Sequence, residues 1–157
     1  NMRRKDREIT DLKEITEIIQ RCDVCRIALH DREYPYILPV NFGFERSGTD
    51  LLIYIHGAKE GTKHTLIQQN NKVSFEMDCS HRLIPPAGDE CCSASMAYES
   101  VIGQGEITLL SGEEKLHGLS VIADHYQIES RQFHPGLMAD TAVYCIRSSA
   151  CTAKRRL

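Results

Sequence analysis

The stretch Asp50 to Gln69, DLLIYIHGAKEGTKHTLIQQ, gathers the residues best suited to chemistry: His56, Lys59 and Lys63, set among the small residues Gly57, Ala58 and Gly61. An imidazole can move a proton near neutrality, and two ammonium groups attract an anion. Leu51 to Ile55 is an unbroken apolar run of β-formers, which predicts a strand covered on both faces. The sequence then reads as passing straight from His56-Gly57 into a helix. On that reading Lys59 and Lys63, four residues apart, share one helical face at the positive end of the macrodipole, with only Glu60 as local relief. A bound phosphate at the exposed N–H groups of the helix start reconciles these charges. The spacing alone also fits two lysines whose heads simply reach into water.

The elements that must position this stretch follow from periodicity. A helix is predicted over Asp11–Gln20 with Thr10 as N-cap and Leu12, Ile15, Ile18 and Ile19 as its apolar stripe. Val24–His30 reads as a strand, joined through the tight polar connection Asp31-Arg32-Glu33 to a second strand, Tyr34–Phe44. There Tyr36, Leu38, Val40, Phe42 and Phe44 share one face, while Pro35 and Pro39 each remove a ladder donor. Such a strand is either an edge or opens away from its neighbour. Glu45–Thr49 has turn composition, and Asn70-Asn71 marks the end of the second helix. Val73–Cys79 alternates cleanly, with Val73, Phe75, Met77 and Cys79 inward. His81–Ser93 is predicted to be a loop. Ser95–Leu110 is a long strand interrupted at Gly103 and Gly105. Ser111 to Glu114 fits a capping box before a helix with Leu116, Leu119, Ile122, Ala123 and Tyr126 on one face. Ala142–Cys151 is the last strand, and Gln127–Asp140 a weakly patterned connection. This order, with too few helices for a doubly wound parallel sheet, predicts a mainly β (α+β) fold: a six-stranded antiparallel barrel with peripheral helices, in a single domain over residues 1–157.

Composition narrows the function classes. A formal net charge of −3 gives no general attraction for nucleic acid, and the basic tail Lys154, Arg155, Arg156 reads as a solvated end. No apolar run reaches the length of a membrane span, and the opening NMRRKDREIT is too polar for a signal peptide, so a cytoplasmic location is expected. Seven cysteines form an odd set that suits reduced thiols. The Cys22/Cys25 spacing invites a zinc site, but no second Cys-x-x-Cys follows and no metal is assigned. His30, His64, His81, His117, His125 and His134 show no spacing that makes a ligand set.

Five segments, RCDVCRIAL, YPYILPVNFGF, LLIYIHGAKEGTKHTLI, NKVSFEMD and YESVIGQGEI, occur in the order found in the FMN-binding split-barrel proteins related to pyridoxamine 5′-phosphate oxidase. Within that superfamily the chain most resembles the 5-nitroimidazole-resistance (Nim-type) proteins. The resemblance implies a split β-barrel homodimer with FMN in the cleft between subunits. It implies that Pro39, Val40, Asn41 and Phe42 run along the flavin ring with main-chain contacts, that His56, Gly57, Ala58, Lys59 and Lys63 line the phosphate and ribityl side, and that Ser100 and Val101 approach from a later strand. Two departures stand out. Ala58-Lys59-Glu60 replaces the Ser-Arg-Lys cluster common in the oxidases, and the C-terminal CTAKRRL lacks the Arg-x-His of true pyridoxamine-phosphate oxidases. The implied activity is FMN-dependent reduction of a small acceptor such as a nitroimidazole or other nitroaromatic, fed by a nicotinamide nucleotide or another reductant; His56, an imidazole beside that cleft able to give a proton near neutrality, is read as the catalytic proton donor, with water as the other source. The alternative is a split barrel that holds flavin or haem without turnover.

Overall fold

The computed structural model describes residues 3–157; Asn1 and Met2 lie outside the described residues. Eight strands form one antiparallel sheet in the order β3-β2-β6-β7-β8-β5-β4: β2 (Cys25–Leu29), β3 (Tyr36–Val40), β4 (Phe42–Ser47), β5 (Asp50–Ala58), β6 (Lys72–Ile84), β7 (Ser95–Leu109) and β8 (Thr141–Arg156). The short β1 (Glu8–Ile9) pairs with the far end of β8. The expected count of six is exceeded because β1 is added and because the Tyr34–Phe44 strand divides. Its two halves, β3 and β4, are separated by Asn41 alone; β3 pairs with β2, and β4 pairs with β5. One nearly continuous strand thus joins the two ends of the sheet and closes the barrel, with the split at Asn41. Pro39 is tolerated because the ladder ends one residue later.

Inside the barrel sit Ile27, Leu29, Phe42, Ile53, Ile55, Phe75, Met77, Val101, Tyr144 and Ile146, each at most 2% exposed. Burying a side chain of this size contributes about 1.5–3 kcal/mol, so this layer dominates stability. The two-sided cover predicted for Leu51–Ile55 is present. Leu51, Ile53 and Ile55 join the barrel core, while Leu52 and Tyr54 lie under α3 (Gly112–His125) with Ile122. That packing needs Gly43 and Gly118. A Cβ at Gly43 would fall on the main chain of Val121 and Ile122, and one at Gly118 would meet Tyr54 Cδ1 at 2.9 Å.

Several boundaries differ from expectation. Helix α1 (Leu12–Arg21) is capped by Asp11, whose carboxylate accepts from the Glu14 N–H at 2.9 Å, not by Thr10; Ile15, Ile18 and Ile19 are buried but Leu12 is 45% exposed. Glu45–Ser47 continue β4, leaving only Gly48-Thr49 as the turn. β6 runs on to Ile84 past a bulge between Cys79 and Arg82, so the loop predicted from His81 begins later. Ser111 is the N-cap of α3 but accepts no hydrogen bond through its side chain, so the capping box does not form, and Leu116 is exposed. A short helix, α4 (Pro135–Asp140), fills part of the weakly patterned connection.

The basic tail is not a solvated end. β8 extends to Arg156, and Arg155 donates to Glu99 Oε1 at 2.6 Å while Arg21 of α1 donates to Oε2 at 2.7 Å. Ser80, in the β6 bulge, completes the set at 2.8 Å. Burial by itself would raise the Glu99 carboxyl, but these three donors override it and hold the group down to about 2. The cluster ties α1, β6, β7 and β8 together at one end of the barrel.

Candidate functional site

His56 and Gly57 do not open a helix. They and Ala58 remain in β5, paired with Val143, Ala142 and Thr141 of β8, and α2 (Thr62–Gln69) begins only after Lys59-Glu60-Gly61. The chain stays extended because β8 offers a partner strand all the way to Ala58. Lys59 therefore lies outside α2 and does not share a helical face with Lys63. Lys59 is exposed, its main-chain N–H donating to Asp140 O at 3.3 Å.

Lys63 folds back from the first turn of α2 over β5. Its Nζ donates to His56 O at 3.3 Å and occupies the space where a Gly57 side chain would stand. The group also faces the Tyr144 ring, 5.8 Å from its centroid. It is half-buried, burial lowers its pKa, and among the described residues no carboxylate pairs with it. The N-terminus of α2 adds to this. Gly61, at φ 105°, is the N-cap, a conformation L side chains rarely adopt, and no side chain caps the first-turn N–H groups. A cationic, hydrogen-bond-donating cradle with no acidic residue in the first turn of the helix fits a phosphate group.

Behind the cradle, His64 Nδ1 lies 2.7 Å from Tyr144 Oη and Gln68 Nε2 lies 3.0 Å from His64 Nε2. This chain anchors α2 to β8. His56 is exposed on the outer face of β5; desolvation first, and the Lys63 charge second, lower its pKa from 6.5. The ring is therefore mostly neutral at pH 7, which weakens its standing as a ready proton source unless a bound anion restores the charge.

Asn41 lies beside this group. Phe42 pairs with Ile55, so Asn41 and His56, both exposed, flank that buried pair at the split. Tyr126, at the end of α3, binds both sides of the split: its hydroxyl donates to Asp23 O at 2.7 Å and accepts from Phe42 N–H at 3.1 Å and Asn41 Nδ2 at 3.3 Å. His125 packs on Phe42 at 4.3 Å and approaches Cys22 O through Nε2 at 2.7 Å. Of the sequence-predicted residues, Pro39, Val40, Asn41, Phe42, His56, Gly57, Ala58, Lys59 and Lys63 thus gather around one end of the barrel.

Ser100 and Val101 do not join them. His56 pairs with Val143 of β8 and Ser100 with Lys154, the two being about 35 Å apart along that strand. Val101 is 0% exposed, opposite Met77 and Ala153, so its side chain belongs to the core. A groove of about 1430 Å³ is elsewhere again: it lies beside the N-terminal half of α3, over Leu52, Tyr54, Cys145 and Arg147, and includes none of the predicted residues. There His117 Nε2 and Tyr54 Oη converge on Glu45 Oε1 at 2.9 and 2.6 Å. Spacing gave no signal for His64, His117 or His125, whose partners Tyr144, Glu45 and the Cys22 carbonyl are 80, 72 and 103 residues away, and it placed Tyr126 only on an apolar helix face.

With this geometry, comparison with known proteins assigns the class. Residues 11–155 match the family model described as pyridoxamine 5′-phosphate oxidase, and the chain belongs to that family. Among solved structures it is similar to a proposed 5-nitroimidazole antibiotic resistance protein from Bacteroides thetaiotaomicron, at 30% identity and a TM-score of 0.80, over 94% of this chain and 85% of that one. The flavocytochrome Anf3 from Azotobacter vinelandii shares the fold at 18% identity and TM-score 0.78, covering 100% and 72% of the respective chains. So does a FAD and haem binding protein from Mycobacterium smegmatis, at 16% identity and TM-score 0.77, over 95% and 73%. No curated protein matches the sequence. Among the described residues no helix is long and apolar enough to cross a membrane.

Proposed function

We propose that this chain is an FMN-dependent oxidoreductase that passes electrons from a nicotinamide nucleotide or another low-potential donor to a small acceptor such as a nitroimidazole or other nitroaromatic. The observation that carries the reading is the half-buried Lys63 ammonium, unanswered by any carboxylate among the described residues, at the uncapped start of α2. Lys63 and the first N–H groups of α2 hold the phosphate; each well-desolvated charge-assisted contact contributes about 1.5–3 kcal/mol. Lys59, exposed on the connecting segment, supplies a second positive charge at the rim. Pro39 to Phe42 provide main-chain contacts along the ring, where the sheet opens at Asn41. FMN, once bound, supplies the electron transfer itself. His56 carries a proton to the acceptor when a bound anion offsets the Lys63 charge, which adds to desolvation in lowering its pKa.

The cleft is completed by a second copy of the chain. Ser100 lies too far along β8 to reach its own chain's His56, and in a homodimer it serves the partner's cleft. Light scattering should give twice the mass of the 17.8 kDa chain, and a monomer that still binds FMN tightly rules out the shared cleft.

The activity is tested anaerobically: the flavoprotein is reduced with a nicotinamide nucleotide, a nitroimidazole is added, and flavin reoxidation is followed. Reoxidation with ping-pong kinetics supports the reading. Flavin that stays reduced rejects the nitroreductase assignment, and a Soret band in place of flavin bands favours a haem-binding role.

A further inference from the structure

The orientation of the Asn41 side chain follows from a count of hydrogens. A phenol has one hydrogen to donate and two lone pairs to accept with. Asp23 O, 2.7 Å from Tyr126 Oη, can only accept, so it takes the hydrogen; the Phe42 N–H, at 3.1 Å, can only donate and takes one lone pair. The other lone pair faces Asn41 at 3.3 Å. Only the amide NH₂ can serve it, so Oδ1 is turned away from Tyr126. Asn41 is exposed at the strand break, beside the equally exposed His56. An acceptor oxygen, locked from behind by a phenol that is itself anchored to the α1–β2 turn, is thus presented at the split.

We propose that Asn41 Oδ1 is the subsite for the imide N–H of a flavin-type ring, and that Tyr126 is the positioning residue that keeps this acceptor, rather than the amide NH₂, facing the ligand. The proposal rests on the flavin reading above and adds to it which edge of the ring is recognised and how. The pyrimidine side of an isoalloxazine carries a single ring N–H, at N3, between two carbonyls. Strands offer it main-chain donors for the carbonyls, but the N–H requires an acceptor. With the amide reversed, donor would face donor and leave both unpaired, a cost larger than the gain from an ordinary hydrogen bond. A ligand methylated at N3 cannot make the bond at all.

The test compares riboflavin with 3-methylriboflavin, by quenching of flavin fluorescence, on the full chain as wild type, Asn41→Ala and Tyr126→Phe. Neither ligand carries the phosphate, so Lys63 does not enter the comparison. Wild type should bind riboflavin about tenfold more tightly than the methylated form, and both variants should bring the ratio to within about threefold of one. A purely structural role for Tyr126 would weaken both ligands alike and leave the ratio unchanged, which overturns its part in the proposal. If Tyr126→Phe unfolds, Asn41→Ala decides. A wild-type ratio near one, with flavin still bound, overturns the subsite and leaves the flavin reading standing; failure of wild type to bind FMN or riboflavin removes both.

Discussion

Lys63 lies across Gly57, its ammonium in the space that any other residue at position 57 would fill with a Cβ. The small residue and the charge are therefore one feature: glycine admits the lysine, and the lysine, bonded among the described residues only to His56 O at 3.3 Å, keeps its remaining donors available. Gly57 remains in β5, paired with Ala142, so its role is space and not a turn.

Replacing Gly57 with Ala should displace the flexible Lys63 head into solvent at little cost in stability, since the atom it meets is the end of a long side chain. Thermal unfolding should shift by no more than a few degrees, while FMN binding weakens roughly tenfold, as for loss of about one charge-assisted contact. A variant that binds FMN as wild type does separates Lys63 from the phosphate.

Acid should loosen the opposite end of the barrel first. Glu99, 5% exposed, titrates ordinarily near 4.5 and is held down to about 2 by Arg155, Arg21 and Ser80 against the opposing effect of burial. A carboxylate with a depressed folded-state pKa stabilises above its unfolded value and loses that contribution as pH falls through the folded one. On the order of 3 kcal/mol should disappear between about pH 4.5 and 2, and denaturant melts of Glu99→Gln should be nearly flat across that window. An unchanged slope in the variant assigns the acid sensitivity to other groups.

His56 gives the reaction its own pH signature. Its pKa lies below 6.5 because of desolvation and the Lys63 charge, so its protonated fraction grows as pH drops below that value. Flavin reoxidation by a nitroimidazole should accelerate from pH 7.5 to about 5.5 in wild type and become nearly flat in His56→Ala. Equal profiles for both proteins make water the proton source.

Much of the fold was legible because period-two alternation survives in β6, β7 and β3: Val73, Phe75, Met77 and Cys79 are all buried as their spacing requires. The split at Asn41 was foreshadowed by Pro39, and the apolar run Leu51–Ile55 by cover from both the barrel and α3. What sequence reasoning missed depends on contacts that no local pattern encodes. The helix after Gly57 is delayed to Thr62 because β8 pairs with β5 as far as Ala58, a tertiary preference that overrides the turn signal of glycine. Arg155 looked like part of a solvated tail because Glu99, Ser80 and Arg21 are distant in the chain. Tyr126 matched an apolar helix position, and only the fold brings its hydroxyl to Asp23, Asn41 and Phe42.

The most direct measurement is a pair of titrations, FMN and riboflavin, into wild type and Lys63→Ala, followed by flavin fluorescence and absorption. Wild type should take up FMN more tightly than riboflavin, and the substitution should weaken FMN by about ten- to a hundredfold while leaving riboflavin within about twofold. Equal losses for both ligands, or no binding of FMN by the wild-type chain, would contradict a phosphate held by Lys63 at the start of α2.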